Sequence, residues 1–390
     1  MLIEVHILQN HAPSNLNRDD TGSPKQCIFG GVKRARISSQ CLKRSIRRSY
    51  LFRQQLDGHL ANRTRKLPDL VQKGLVQELG EELAKIAAEK ASGFGNKEGK
   101  ERATPDTAQT VFLTEADVKA VTRALLDAAR SSKSPDEFKK KSAKDLQSSA
   151  ELAGYRPTTV DIALFGRMTT SPAFRDVEAS AQVAHAISTH KVDMEFDYFT
   201  AVDDLRDPAS AVEEDAGADM IGDVEYNSAC YYKYFSVDFE GLCSNLTGES
   251  MGRKDISGDE RQQARDLAAE AIDALLKAAI KTTPTGKQNT FAAHQLPTAV
   301  LVEVRPHRTP VSYANAFVDP ARRGSDKDLC QASLEKLGKH VQAVTKGFNL
   351  EATSRLILAP EHESFEINGV EKTADLERLC TRLKEAIAHE

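Results

Sequence analysis

The chain of 390 residues predicts an α+β fold. Three observations predict it: short runs rich in Val, Ile, Tyr and Phe, amphipathic helical stretches between them, and turn-forming clusters at the junctions. Leu2 to Gln9 alternates and reads as a strand, and His11 to Gly22 supplies the Pro, Asn, Asp and Gly of a long surface loop. Gly30-Gly31 introduces an extended stretch, Val32 to Ile37, with Arg34 and Arg36 on one face and Ala35 and Ile37 on the core face. Ser38-Ser39 can cap a helix running to Leu56, with Leu42, Ile46 and Tyr50 as its buried stripe and Gln40, Lys43 and Arg47 on an adjoining face. From about Leu67 to Ser149 the pattern is helical, with Leu75 to Ala91 and Glu115 to Ala128 separated by a loop around Ser92 to Thr110; this reads as an inserted subdomain. Val160 to Met168 and Ala179 to His190 lead back to the main domain. Tyr226 to Phe239 reads as a strand, Asp259 to Ile280 as a strong amphipathic helix, and Thr298 to Arg305 as another strand. Strands and helices in this order, with long insertions, resemble a split β-α-β unit of the ferredoxin-like kind, an arrangement also used by RNA-recognition modules.

Composition narrows the function classes. Hydrophobic residues make up 40% and charged residues 28%, with no tryptophan, and no apolar run approaches the ~20 residues that span a bilayer. Glu4 and His6 interrupt the amino terminus, which therefore lacks the pattern of a signal peptide, and a cytoplasmic protein is expected. Six cysteines are scattered without a C-x-x-C pair, which fits reduced thiols. No phosphate-binding loop, nucleophile elbow or H-E-x-x-H motif occurs. His185 and His190 are five apart and do not stack on one helical face. Asp203-Asp204 offers carboxylates to a hard cation, but adjacent aspartates in an acidic arm more often serve turns. Cys27 and Cys41 have no adjacent base. The expectation is no enzyme, no metal and no cofactor.

Charge distribution carries more than net charge. The chain is at −4, yet Thr21 to Leu56 holds nine basic residues and no Asp or Glu. An unrelieved cationic stretch implies an anionic partner, nucleic acid first. Asp193 to Glu225 holds twelve carboxylates against Arg206 alone and is expected to project as an arm. Lys139, Lys140, Lys141 and Lys144 form a second basic cluster. Met168, after Gly166-Arg167, and Phe199, at the start of the arm, are candidate side chains to stack or wedge against bases.

Asn15-Leu-Asn-Arg-Asp-Asp20, Ile28-Phe-Gly-Gly31 and Arg36-Ile-Ser-Ser-Gln-Cys-Leu-Lys-Arg44 resemble the CasC family, the multi-copy backbone of the type I-E CRISPR surveillance complex, Cascade. Asp161 to Met168, Ala184 to His190, Phe199 to Leu205, Gly286 to Ala292 and Ser312 to Phe317 agree with it in the same order. About half the chain is covered; the helical insertion and the segment beyond about Asp319 match no motif. The resemblance implies a hand: an RRM-like palm (1–56, 158–192 and 226–390), helical fingers (57–157) and a thumb hairpin (193–225). It implies that Asn17, Arg18, Lys25, Ser38, Gln40, Lys43, Arg44 and Arg47 hold the backbone of a CRISPR RNA guide. Met168 and Phe199 would hold kinked bases apart, and the four finger lysines would face target DNA. It further implies antiviral defence as the setting. The partners would be further copies of the chain, the other Cascade subunits (CasA, CasB, CasD and CasE) and a helicase-nuclease recruited after target binding. Related type III backbone subunits cut RNA with a loop aspartate and a metal, which makes Asp19, Asp20, Asp203 and Asp204 the residues of an alternative, metal-dependent nuclease reading. A general RRM-like RNA-binding protein is the third.

Overall fold

A computed structural model of the protein describes residues 1–102, 106–201 and 220–389. The chain opens with β1 (Leu2–Ser14), β2 (Gln26–Phe29) and β3 (Val32–Ile37), then α1 (Ser39–Arg48) and α2 (Tyr50–Gln55). The insertion holds β4 (Asn62–Thr64), α3 (Leu67–Ser92), β5 (Val111–Leu113), α4 (Glu115–Arg130), α5 (Pro135–Lys140) and α6 (Ala143–Gln147), followed by α7 (Val160–Phe165). Next come β6 (Ala181–Val183), β7 (Ala186–Ser188), β8 (Glu195–Ala201), β9 (Met220–Asp238), α8 (Phe239–Thr247), α9 (Gly258–Lys281) and α10 (Gln288–Phe291). The last elements are β10 (Ala299–Arg305), α11 (Leu329–Gly347), β11 (Ser354–Leu358), β12 (Glu371–Lys372) and α12 (Leu376–Ala388).

Two compact units result. The first comprises Met1–Phe52, Val183–Ser236 and Leu275–Glu390, and the second Arg53–Gln182 and Val237–Ala274. Residues 158–182 and 237–274, placed with the palm on sequence, therefore group with the helical insertion. The physical ties are specific. The Asn245 amide donates to the carbonyls of Ala163 (3.0 Å) and Glu178 (2.8 Å), and the Asp161 carboxylate accepts the Ala61 N–H at 2.9 Å.

The first unit is built on a mixed sheet in the order β12-β11-β10-β1-β9-β7-β3-β2, with β8 antiparallel to β9. β1 and β10 pair antiparallel from Leu2 opposite Arg305 to Leu8 opposite Ala299, and β11 pairs with β12 in parallel. β1 lies mid-sheet and is buried from Leu2 to Gln9, so the alternation in its sequence does not mark a wet face. Its polar members are paired inside. Arg305 Nε lies 2.6 Å from Glu4 and its Nη2 2.8 Å from Glu303, while Arg355 Nε reaches Glu303 at 2.7 Å. Burial alone would raise the Glu303 carboxyl; contact with His6 and Arg305 holds it far below its usual range. Glu4, His6 and Glu303 come close enough to hold a cation, but the arginines already neutralise both carboxylates. On one side of the sheet Leu8, Tyr232, Tyr313, Phe317, Leu337 and Ile357 form an apolar core.

Three local expectations are corrected. The helix expected to run to Leu56 breaks at Ser49, whose backbone is extended (φ −63°, ψ 148°). The break rotates the buried face, so Tyr50 is 74% exposed while Phe52 and Leu56 are buried. Arg34, expected on a cationic face, is fully buried, and its guanidinium donates to the carbonyls of Phe29, Ser188 and Phe317. The expected helix from Leu75 to Ala91 starts at Leu67 and is interrupted at Gly80, whose φ of 75° leaves the helical region.

The second unit packs α3, α4 and α5 around Leu67, Val71, Leu75, Phe94, Val121, Leu125 and Phe138. Thr114 and Asp117 form a reciprocal capping box at the start of α4. No helix among the described residues is long and apolar enough to cross a membrane.

Lys233 on β9 is fully buried and donates to the neutral Gln9 side chain. Desolvation pulls its pKa from 10.5 down to about 8. Between those pH values the unfolded chain holds a proton that the folded chain lacks, so this group makes stability rise with pH from 8 to 10.5 and costs about 3 kcal/mol below pH 8. Lys233→Met is expected to stabilise the protein by about 1–3 kcal/mol at pH 7 and to flatten the rise. Denaturation between pH 7 and 10 checks it, and equal pH slopes in both proteins would contradict it.

Candidate nucleic-acid interface

The basic segment folds into a supported ridge. β1 leaves the sheet at Ser14 and enters the loop that returns at Gln26. Asp19 fixes that loop: its carboxylate accepts from the backbone N–H of Thr21 (2.9 Å) and Ser23 (3.0 Å) and from the Thr21 hydroxyl (2.7 Å), which also keeps the carboxyl below its usual range. Asn17 spans from loop to helix. Its carbonyl accepts the Lys25 N–H at 2.9 Å, and its side-chain oxygen accepts the Ser38 N–H at 2.8 Å. Ser38 is buried and caps α1 by accepting from Cys41 N at 3.3 Å. Asn17 therefore holds α1 in place and can offer its NH2 outward.

On α1, Leu42 and Ile46 face the core. Gln40, Arg44 and Arg48, at i, i+4 and i+8, form an exposed line, with Lys43 and Arg47 half-buried beside it. Arg18 is exposed and Lys25 half-buried. A cavity of about 480 Å³ is lined by Asn17, Arg18, Asp19, Asp20, Arg44, Ser45, Thr285 and Gly286, among others. A second, of about 380 Å³, is lined by Arg44, Ser45, Arg48, Ser49, Thr282, Thr283 and Thr285. The shared Arg44, Ser45 and Thr285 make them one groove, lined by the guanidinium groups of Arg18, Arg44 and Arg48, by the hydroxyls of Ser45, Thr282, Thr283 and Thr285, and at one end by the carboxylates of Asp19 and Asp20. Gly286 is required by close approach: a Cβ there would meet the Leu16 carbonyl oxygen at 2.4 Å. A groove of this kind suits phosphate oxygens, through charge-assisted hydrogen bonds, and has few groups with which to discriminate bases.

The two wedge candidates are both exposed. In the second unit, Gly166 takes a φ of 78°, and Arg167 and Val177 exchange backbone hydrogen bonds. The Arg167 side chain is buried against Asp117 (2.6 Å) and the carbonyls of Phe112 and Arg175. Burial would raise the Asp117 carboxyl, but Arg167 and Arg156 hold it below its ordinary range. Thr169 N donates to Asp176 at 2.7 Å. Met168 is thus anchored by its neighbours on both sides and is itself 93% exposed, the opposite of a core methionine. In the first unit, Phe199 on β8 is 41% exposed and lies across its pairing partner Gly222, with Phe196 and Tyr198 also exposed.

Comparison with known proteins places the chain in a family. The CT1975-like protein family matches residues 3–384. The chain belongs to the CT1975-like protein family. Among solved structures, it is similar to a chain of a "CRISPR RNA-guided surveillance complex, pre-nicking", with a TM-score of 0.79 and 25% identity over 99% of this chain and 100% of that one. A chain of a second "CRISPR RNA-guided surveillance complex" shares the fold at a TM-score of 0.58 and 22% identity, over 99% and 100% of the two chains. No curated protein sequence matches significantly.

In this CT1975-like protein the eight residues expected to hold a guide backbone lie on α1, at its N-cap Ser38, or on the loop that braces it. The finger lysines divide. Lys139, Lys140 and Lys144 are exposed, whereas Lys141 donates to Ala128 O and Ser131 Oγ, both at 2.9 Å, and so caps the end of α4. Asp203, Asp204 and most of the acidic arm lie outside the described residues. Sequence reasoning missed Arg48 and the Thr282–Thr285 wall as site residues. Arg48 stood in the cationic run, and the signal for the wall was the hydroxyl-rich Thr282-Thr-Pro-Thr-Gly286.

Proposed function

We propose that this protein is a non-catalytic backbone subunit of a CRISPR surveillance complex of the type I-E Cascade kind, its RRM-like palm gripping a guide RNA with several copies along one strand. The observation that carries it is the braced, hydroxyl-walled cationic groove of α1 in a chain whose fold and length match a surveillance-complex subunit. The groove grips backbone rather than base edges, so sequence is left to pairing between guide and target. Met168 and Phe199 hold neighbouring bases apart, and Lys139, Lys140 and Lys144 face target DNA. Guide RNA, target DNA, further copies and other complex subunits are the partners.

Arg44→Glu with Arg48→Glu reverses two exposed charges and is expected to weaken RNA binding at least ~10-fold at moderate salt without lowering the melting temperature. For the unmodified protein, about five phosphate contacts predict ~10²-fold weaker binding at 200 mM than at 50 mM salt. Undiminished RNA retention by the double variant, read by filter binding, would sink the proposal.

Met168→Ala is expected to change stability by less than about 0.5 kcal/mol, since the side chain buries almost nothing. A guide carrying 2-aminopurine at successive positions is expected to brighten periodically on binding the unmodified protein, and less so with the variant. Equal fluorescence would remove Met168 from that role.

A further inference from the structure

A pair of thiols lies on the first unit away from the groove. Cys230 is on β9 and fully buried; Cys330 is the second residue of α11 and half-buried. Independent contacts bring their elements together. Thr189 donates its N–H to the Cys230 carbonyl at 2.8 Å, and its hydroxyl meets that of Ser333, one turn along from Cys330, at 2.8 Å. Cys230 and Cys330 thereby come near enough for each thiol to shift the other's titration, Cys230 upward and Cys330 downward. The nearby His190 is engaged elsewhere: its Nε2 accepts the Cys230 backbone N–H at 3.1 Å, and its Nδ1 faces the Lys191 carbonyl at 2.7 Å.

We propose that Cys230 and Cys330 are a redox modification site, at which a small-molecule disulfide of the glutathione class forms a Cys230–Cys330 disulfide that staples α11 to β9. Cys330 is the attacking group because it is the accessible member and sits at the positive end of a helix of 19 residues. The neighbouring Cys230 lowers its pKa and Thr298 assists, against opposition from burial and from the charges of Asp328 and Glu361. In the first step the Cys330 thiolate, having lost its proton to solvent, bonds to one glutathione sulfur and expels the other as thiolate. In the second, Cys230 loses its proton and bonds to the Cys330 sulfur, expelling the remaining glutathione thiolate. Two protein thiols are oxidised, one disulfide is reduced to two thiols, and the two protons end on glutathione.

The test is to incubate the full chain with oxidised glutathione and map tryptic peptides without reduction. Expected is a crosslink between the peptide ending at Lys233 and Asp328–Lys336, with a loss of about 2 Da reversed by dithiothreitol and a raised melting temperature that reductant abolishes. Cys230→Ser removes the resolving thiol, so Cys330 is expected to accumulate as the glutathione adduct. Cys330→Ser, at a half-buried helix start, is expected to yield neither crosslink nor adduct at position 230. A lasting glutathione adduct on Cys330 in the unmodified protein, a crosslink through Cys27 or Cys41 instead, or no reaction of the folded chain would each overturn the proposal.

Discussion

Two carboxylates facing one another inside a sheet set the frame for the first unit. Glu4 on β1 and Glu303 on β10 are directly opposite in the register, a like-charge pairing that destabilises a sheet unless a cation stands between them. Arg305 stands there, and Arg355 on β11 neutralises Glu303 from the other side, so two negative and two positive groups balance. Removing one partner from such a buried pair typically costs about 3–5 kcal/mol, because it leaves a charge uncompensated. A slip of β1 along β10 would break the same contacts, so the network fixes register as well as stability. Tyr234 and Tyr313 hydroxyls complete the hydrogen bonding, donating to Glu4 and Glu303.

That register is what aims the groove. β1 carries the chain from the network past the buried His11 and out to Asn15, whose amide donates to Gly22 O and Glu225 O, both at 2.9 Å. Two residues on, Asn17 holds the start of α1. The cationic helix is therefore connected to the centre of the sheet by one strand and one hydrogen-bonded loop. Gly286 brings the opposite wall within contact of Leu16. Rigidity of this kind matters for gripping a polyanion: the lysines and arginines repel one another in the absence of phosphate, and a preformed scaffold has met that cost at folding.

Much of this was legible in sequence, and the misses have physical causes. The helices α4 and α9 and the strand β10 follow from hydrophobic periodicity, which is a local signal. The basic run pointed to α1 and its bracing loop because like charges without nearby acids call for an outside partner or a distant acidic face. Burial of Arg34 was invisible, since its acceptors lie on residues 29, 188 and 317 and only the fold brings those carbonyls together. Period-two reasoning placed it on the wet face because that reasoning contains no third layer. The Ser49 break was hidden because Tyr50 fits an i+4 pattern from Ile46 as well as Phe52 fits the turned one. Past Asp319 the chain supplies β11 and β12 to the sheet edge beyond β10, strands of five and two residues, too short to show a period. Met168 could be weighed only as core or wedge; its anchoring depends on Asp117, distant in sequence.

Stacking along RNA is the central claim, and stoichiometry tests it most directly. Native mass spectrometry of the purified protein with guide-like RNAs of increasing length, in Mg²⁺, reads both the number of copies bound and the mass of the RNA. The account predicts copy number rising in equal steps with length over intact RNA. A fixed one-to-one complex at every length, or RNA shortened at regular intervals, would contradict it.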